Sequence, residues 1–372
     1  MQRPLSVAPG ASVDRLDTPA LVVDLDTFER NARRIHAAIE ASGIRLRPNA
    51  HAHKTPALAW LQLGMKGAAG GVSVVSLGEA ETFAASGIGD LLLTMPVVTP
   101  GKIARLCALT RHADVVVPVD DAANVDALGR AAEVAGVRLP VAVDIRTDAG
   151  EPGAAPDRVM GLARHIDRAP ALRFAGLMTS LGPVSAGDST DAVRDREIGS
   201  AATLTSARAD CERAGLRVGI CSIGDVVASF AALAAMPGLT EIRSASYALA
   251  DGNHLPRMDG VGWRPAARML TMVTSRPEPS RAIVDCGQKA ISRDLGLPSV
   301  DGRPDLTIAG LSAEHGFVDT RDGSPLDLAI GDLLWLVPAD AAGAFGLHDI
   351  VHGVRGETVE AIWDVAARGR YD

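Results

Sequence analysis

Lysine is scarce in this 372-residue chain: it occurs only at Lys54, Lys66, Lys102 and Lys289, and arginine supplies the rest of the positive charge. Basic stripes are absent, aromatic residues make up 3%, and the formal net charge is -8, which together exclude a nucleic-acid binder. No run of about 18 uncharged apolar residues is present, so a membrane-spanning helix is not expected. The start, Met-Gln-Arg-Pro, lacks the apolar segment of a signal peptide. Cys107, Cys211, Cys221 and Cys286 are widely spaced, with no C-x-x-C, and read as reduced core cysteines of a cytoplasmic protein. What is present is apolar residue, 47% of the chain, enough for about two domains or a barrel with an appendage.

From about residue 20 to 261, short apolar runs alternate with amphipathic stretches. The runs at 46–51, 71–76, 90–94, 114–119, 140–145, 174–178, 218–222 and 241–246 read as buried parallel strands. Between them, Asp26 with Glu29 and Ser76 with Glu79 have capping-box spacing. Thr99-Pro100 reads as an N-cap followed by proline at the first helical position. Gly43, Gly87, Gly136 and Gly215 fall where helices should end. Eight strands alternating with helices predict an α/β fold, a (β/α)8 TIM barrel. Residues 262–372 alternate like antiparallel strands and predict a mainly antiparallel β domain, with residues 1–19 joining it as an edge strand.

Active sites of such barrels lie at the C-terminal ends of the strands. The first strand runs into Arg47-Pro48-Asn49-Ala50-His51-Ala52-His53-Lys54, the densest polar cluster in the chain. His51 and His53 share a face while the strand persists, and Lys54 follows at the mouth. The seventh strand runs into Ser222-Ile223-Gly224-Asp225. This turn reads either as a phosphate site on backbone N–H groups or as an ordinary turn with Asp225 as helix cap.

Several motifs resemble fold-type III pyridoxal-phosphate enzymes of the alanine racemase type, specifically the D-threonine aldolase and D-serine dehydratase branch. They are Asp17-Thr18-Pro19-Ala20-Leu21-Val22-Val23-Asp24, Arg47-Pro48 with His53-Lys54-Thr55-Pro56, Ser76-Leu77-Gly78-Glu79-Ala80-Glu81, Asp285-Cys286-Gly287-Gln288-Lys289-Ala290 and Glu314-His315-Gly316. The resemblance implies a lyase, an aldolase or dehydratase, acting on a D-configured β-hydroxy amino acid through pyridoxal phosphate with a divalent metal ion. It also implies a head-to-tail homodimer, in which Glu314, His315 and Asp340 act on a neighbour's pocket. The departures fall on catalytic positions. The branch motif R-P-H-x-K-x-H-K places its Schiff-base lysine where this chain has His51, and its histidine where this chain has Asn49. Lys54 matches the second lysine and is the remaining candidate for the cofactor bond. Arg47, Ser222, Gly224, Asp225 and Tyr247 fall at cofactor-binding positions, and Asp340 at a metal-ligand position whose partner is Ala342.

The first reading therefore gives the catalytic roles to Lys54, His51 and His53. A second reading is a metal-dependent barrel enzyme that has lost pyridoxal phosphate, with His51 and His53 as first ligands and Asp144, Asp148, Asp251, His254 or Asp340 completing the site. A third is a non-catalytic relative that binds a small molecule in the barrel mouth.

Overall fold

The computed structural model describes residues 7–147, 151–258 and 260–372. The expected edge strand begins in residues 1–6, which lie outside that range, as do Asp148 and Ala149. Residues 10–13, in the described part of the 1–19 stretch, bond to the outermost strand, with Gly10 N to Val359 O and Val13 N to Glu357 O both at 2.8 Å and a bridge between Ser12 and Thr358. The first full strand, β1 (Ala20–Asp24), lies inside the sheet. It runs antiparallel to β10 (Ala267–Glu278) and parallel to β16 (Ile350–Arg355), in the middle of the second sheet. Four successive residues, Ala20 to Val23, are buried, as a central strand requires.

The chain then builds the barrel. Helix α1 (Leu25–Glu40) leads to β2 (Arg45–Pro48), α2 (Pro56–Leu63), β3 (Val72–Val74), α3 (Leu77–Ala85) and β4 (Asp90–Leu93). Next come α4 (Pro100–Leu109), β5 (Asp114–Val119), α5 (Ala122–Ala135), β6 (Leu139–Asp144) and α6 (Val159–Arg168). The last units are β7 (Leu172–Ser180), α7 (Thr190–Arg213), β8 (Ile220–Gly224), α8 (Phe230–Ala234) and β9 (Glu241–Ser244). The eight parallel strands follow the order β2-β9-β8-β7-β6-β5-β4-β3, and bridges Leu46 to Ala68 and Asn49 to Ser73 close the ring between β2 and the β3 side. Each expected apolar run forms one strand; most are short stretches of valine, isoleucine or leucine that burial on both faces favours.

The helix starts show which local signals count. Ser76 and Glu79 form both hydrogen bonds of a capping box, and Thr99 caps α4 ahead of Pro100. At α1 the cap lies two residues earlier than expected: Asp24 accepts from the Thr27 amide, and Asp26 is already helical. Gly43, Gly87, Gly136 and Gly215 all have positive φ, as helix ends require.

The second sheet contains β11 (Arg281–Val284), β12 (Ser299–Val300), β13 (Leu306–Leu311), β14 (Gly316–Thr320), β15 (Leu333–Val337) and β17 (Thr358–Asp364) around β1, β10 and β16. Two short helices interrupt it, α9 (Gln288–Ile291) and α10 (Ala341–Gly346). Helix α10 packs on the 3-10 turn Ala50–Ala52 that follows β2, so this sheet reaches the barrel mouth of its own chain. Among the described residues, no helix is long and apolar enough to cross a membrane.

Candidate active site at the barrel mouth

Arginine fills the centre of the mouth. The last barrel strand, β9, carries Arg243, whose side chain is fully buried. Its Nε donates to Ser222 Oγ at 3.0 Å, and Nη2 donates to Thr179 O at 2.6 Å and Ser180 Oγ at 3.2 Å. These partners sit at the C-terminal ends of β7 and β8. A Cβ added at Gly224 would lie 2.5 Å from the Arg243 guanidinium carbon, so only glycine leaves room for this side chain. Nη1 has no partner in the protein.

Carboxylates surround it. Asp225 takes a left-handed conformation, φ +60, and its Oδ1 accepts from Asn49 Nδ2 at 2.7 Å. The cap of α8 is Ser229, so Asp225 is not a helix cap. On β6, burial lifts the Asp144 carboxyl to about 7, against the pull of Arg243. Asn49 Oδ1, His51 Nδ1 and Asp144 Oδ1 are, like Arg243 Nη1, buried and unpaired within the protein. Most buried polar atoms find partners, so four orphans at the ends of β2, β6 and β9 mark a polar binding site.

A histidine–aspartate pair completes the mouth. Asp251 is fully buried in the loop after β9. Its Oδ1 lies 2.5 Å from His254 Nδ1, and Oδ2 accepts from Ser246 Oγ at 2.9 Å and the Ala341 amide at 3.1 Å. Burial disfavours the imidazolium, but the charge and hydrogen bond of Asp251 override it and raise the His254 pKa above the ordinary histidine value. His51 faces Asp225, Lys54, Asp340 and His254; burial, the largest influence, lowers its pKa and keeps the ring neutral. A partly exposed imidazole held by a buried carboxylate, beside a neutral imidazole, can move protons on and off a hydroxyl.

Other expected site residues are engaged elsewhere. His53 does not share a face with His51, because the 3-10 turn at 50–52 ends the strand alternation. Both its nitrogens are used: Nδ1 accepts from the Thr55 amide at 3.1 Å, and Nε2 lies 3.0 Å from Gln62 Oε1. It is thus neither a base nor a metal ligand. Lys54 is buried with φ +52, and its Nζ donates to the His51 and Ala342 carbonyls, while its own carbonyl accepts from the Ala367 amide at 2.9 Å. It ties the barrel to α10 and the C-terminal segment. Arg47 points to the opposite end of the barrel, where Glu241 and Asp90 open their strands and hold its guanidinium at 3.1 and 2.8 Å. Tyr247 OH lies 3.3 Å from His36 Nε2, against α1. Asp340 caps α10, accepting from the Ala342 and Gly343 amides. Within its own chain it faces His51 and His254.

The buried imidazoles make acid stability testable. Burial lowers the pKa of both His36 and His53 from 6.5 to about 4. Unfolding lets them protonate, so the stability is complete above the unfolded value and is lost as pH falls from 6.5 toward about 4. Each contributes on the order of 3 kcal/mol to that loss. Urea midpoints should fall clearly between about pH 7 and pH 5, and His53→Gln should flatten the dependence.

Pyridoxal phosphate, implied by the family resemblance, does not fit these residues. The position of its lysine is a histidine, and Lys54 Nζ is held by two carbonyls. The loop after β8, where a phosphate would rest, has its amides occupied: Val226 N donates to Arg243 O at 3.1 Å. The buried Glu197 carboxylate takes the amides of Val227 at 2.6 Å and Ala228 at 3.1 Å. Asp225 adds a like charge beside that place. Among the described residues, no group of three His, Cys, Asp or Glu side chains converges as a ligand set.

Arg243, Glu197 and Asn49 were not singled out from sequence as site residues, and Asp251 and His254 only as metal ligands. A charged residue amid the apolar run of a barrel strand was the available signal for Arg243, as was the short Asp251-x-x-His254 spacing for the pair.

Comparison with known proteins agrees with the fold. The alanine racemase N-terminal domain model matches residues 23–244, and a serine dehydratase domain model matches residues 266–354. D-threonine aldolase of Arthrobacter sp. is 34% identical over 98% of this chain and 96% of its own length. 3-Hydroxy-D-aspartate aldolase of Paracoccus denitrificans is 35% identical over 97% of this chain and 95% of its own. The crystal structure of D-threonine aldolase from Filomicrobium marinum superposes with a TM-score of 0.91 at 30% identity, covering 98% of this chain and 99% of that one. The chain belongs to the alanine racemase N-terminal domain family, among relatives that are lyases of D-configured β-hydroxy amino acids.

Proposed function

We propose that this chain is a lyase that breaks the bond beside a hydroxyl-bearing carbon in a D-configured β-hydroxy amino acid or an analogue of similar size. The observation that carries the reading is the His254–Asp251 pair at the mouth, opposite His51. In this reading His254 takes the hydroxyl proton, Asp251 orients its ring and stabilises the imidazolium, His51 is a second proton-handling group, and the pair of the broken bond passes to an electron-accepting carbonyl or imine carried by the substrate. Arg243 Nη1 and Asn49 Oδ1 supply a donor and an acceptor for the rest of the substrate. The reacting groups come from one chain. A head-to-tail homodimer, with the exposed Glu314 and His315 near a neighbour, is part of the same reading. Light scattering should then give about twice 38.5 kDa.

The test offers D-serine, D-threonine, 3-hydroxy-D-aspartate and carbonyl analogues of equal length to the purified protein. Release of aldehyde, ammonia or oxo acid is measured with and without added pyridoxal phosphate and manganese. Product from at least one substrate, lost in His254→Ala, is expected. No product from any substrate under any condition would overturn the reading.

A further inference from the structure

We infer that this chain works without pyridoxal phosphate, on a substrate that carries its own electron sink: a γ-hydroxy-α-oxo acid, whose α-carbonyl lies two carbons from the hydroxyl-bearing carbon and can accept the pair of the β–γ bond. The inference rests on the lyase reading above and narrows its substrate.

Two separate features close the mouth to the cofactor. The first concerns the amine. Position 51 is histidine, and the nearest lysine, Lys54, is buried and bonded to the His51 and Ala342 carbonyls. The remaining lysines are engaged at the surface, Lys66 with Glu40, Lys102 with Tyr371 and Lys289 with Glu314. The second concerns the phosphate. The amides of residues 226–228 are satisfied internally, two of them by the buried Glu197, and Asp225 puts a carboxylate at the head of the same loop. A dianion there would displace a buried carboxylate from its hydrogen bonds and face another.

Breaking a carbon–carbon bond leaves an electron pair that something must accept. A free β-hydroxy amino acid offers only a carboxylate and an ammonium beside that carbon. An α-oxo group offers an oxygen. The mouth is furnished for such an oxygen: Arg243 is fully buried, fixed by three hydrogen bonds, and has Nη1 unpaired. A preorganised buried donor of this kind stabilises a developing oxyanion.

The step balances without a further reactant. His254 takes the γ-hydroxyl proton, and the oxygen pair forms the aldehyde carbonyl as the β–γ carbon bond breaks. The bond pair becomes an enolate whose oxygen accepts from Arg243 Nη1. The His254 imidazolium then returns its proton to the β carbon. The products are an aldehyde and a shorter α-oxo acid, with no net oxidation.

The test uses the full-length protein. Equilibrium dialysis and the visible spectrum report pyridoxal phosphate binding, and α-oxo acid release reports turnover of a γ-hydroxy-α-oxo acid without cofactor. The wild type is expected to bind no stoichiometric cofactor, to show no new absorbance band and to release α-oxo acid. The double variant His51→Lys with Asp225→Gly, which supplies an amine and removes the repelling charge, is expected to gain a band that borohydride bleaches. Stoichiometric binding by the wild type would overturn the inference whatever the activity. Absence of α-oxo acid release, with hydroxy amino acids still cleaved, would overturn the substrate assignment while leaving the lyase reading intact. A double variant as inert toward the cofactor as the wild type would overturn the roles given to positions 51 and 225.

Discussion

Replacing Arg243 by methionine is expected to cost the fold about 3–5 kcal/mol, the usual penalty for breaking a buried charge cluster from one side. The substitution keeps much of the volume, so the loss is electrostatic rather than a cavity. Asp144, Asp225 and Glu241 all act on this guanidinium, and Ser222, Thr179 and Ser180 lose its hydrogen bonds. The Asp144 carboxyl, already lifted to about 7 by burial, should rise further without the opposing charge. Arg243→Lys should rescue little, because one ammonium cannot replace a fork that reaches two strand ends while leaving a donor free. Urea denaturation near neutral pH measures the effect, and a loss below about 1 kcal/mol would mean that the carboxylates relax into water.

His254→Ala should lower kcat by about 100-fold to 10,000-fold, the range for a lost general base. Asp251→Asn tests the pair more sharply. As a base His254 must be unprotonated, so activity rises with pH through its pKa. Burial disfavours the imidazolium, but Asp251 raises that pKa above the ordinary histidine value. Removing the carboxylate charge should move the limb to lower pH, together with a fall in kcat. The same raised pKa makes a stability statement of definite sign. The ion pair stabilises the fold fully below the unfolded histidine value, and that contribution is lost as pH rises through the folded one. A limb unmoved in Asp251→Asn would assign the rate dependence to another group.

How far the sequence led depended on the range of the signal. The barrel strands and most helix caps were legible because short apolar runs and capping spacings are local patterns. Strand β14 was not, because Phe317 and Val318 are its only large apolar residues. Helix α10 was hidden by its two glycines and alanines, and its capping aspartate, Asp340, resembled a metal ligand instead. His51 and His53 were paired on the assumption that β2 persists. The strand ends at Pro48, and the 3-10 turn that follows turns one ring to the mouth and the other into the packing. The histidine at position 51 was legible as a departure from the family motif. What replaced the lost chemistry was not, because Arg243, Glu197 and the Asp251–His254 pair act through contacts with residues distant in sequence, such as Ala341, 90 positions from Asp251.

The most direct measurement is the intact mass of the wild-type protein after incubation with pyridoxal phosphate and reduction with borohydride. An unchanged mass is predicted, since no lysine amine is free at the mouth. The addition of one pyridoxyl group per chain, mapped to Lys54, would contradict the assignment and restore the family's cofactor to this barrel.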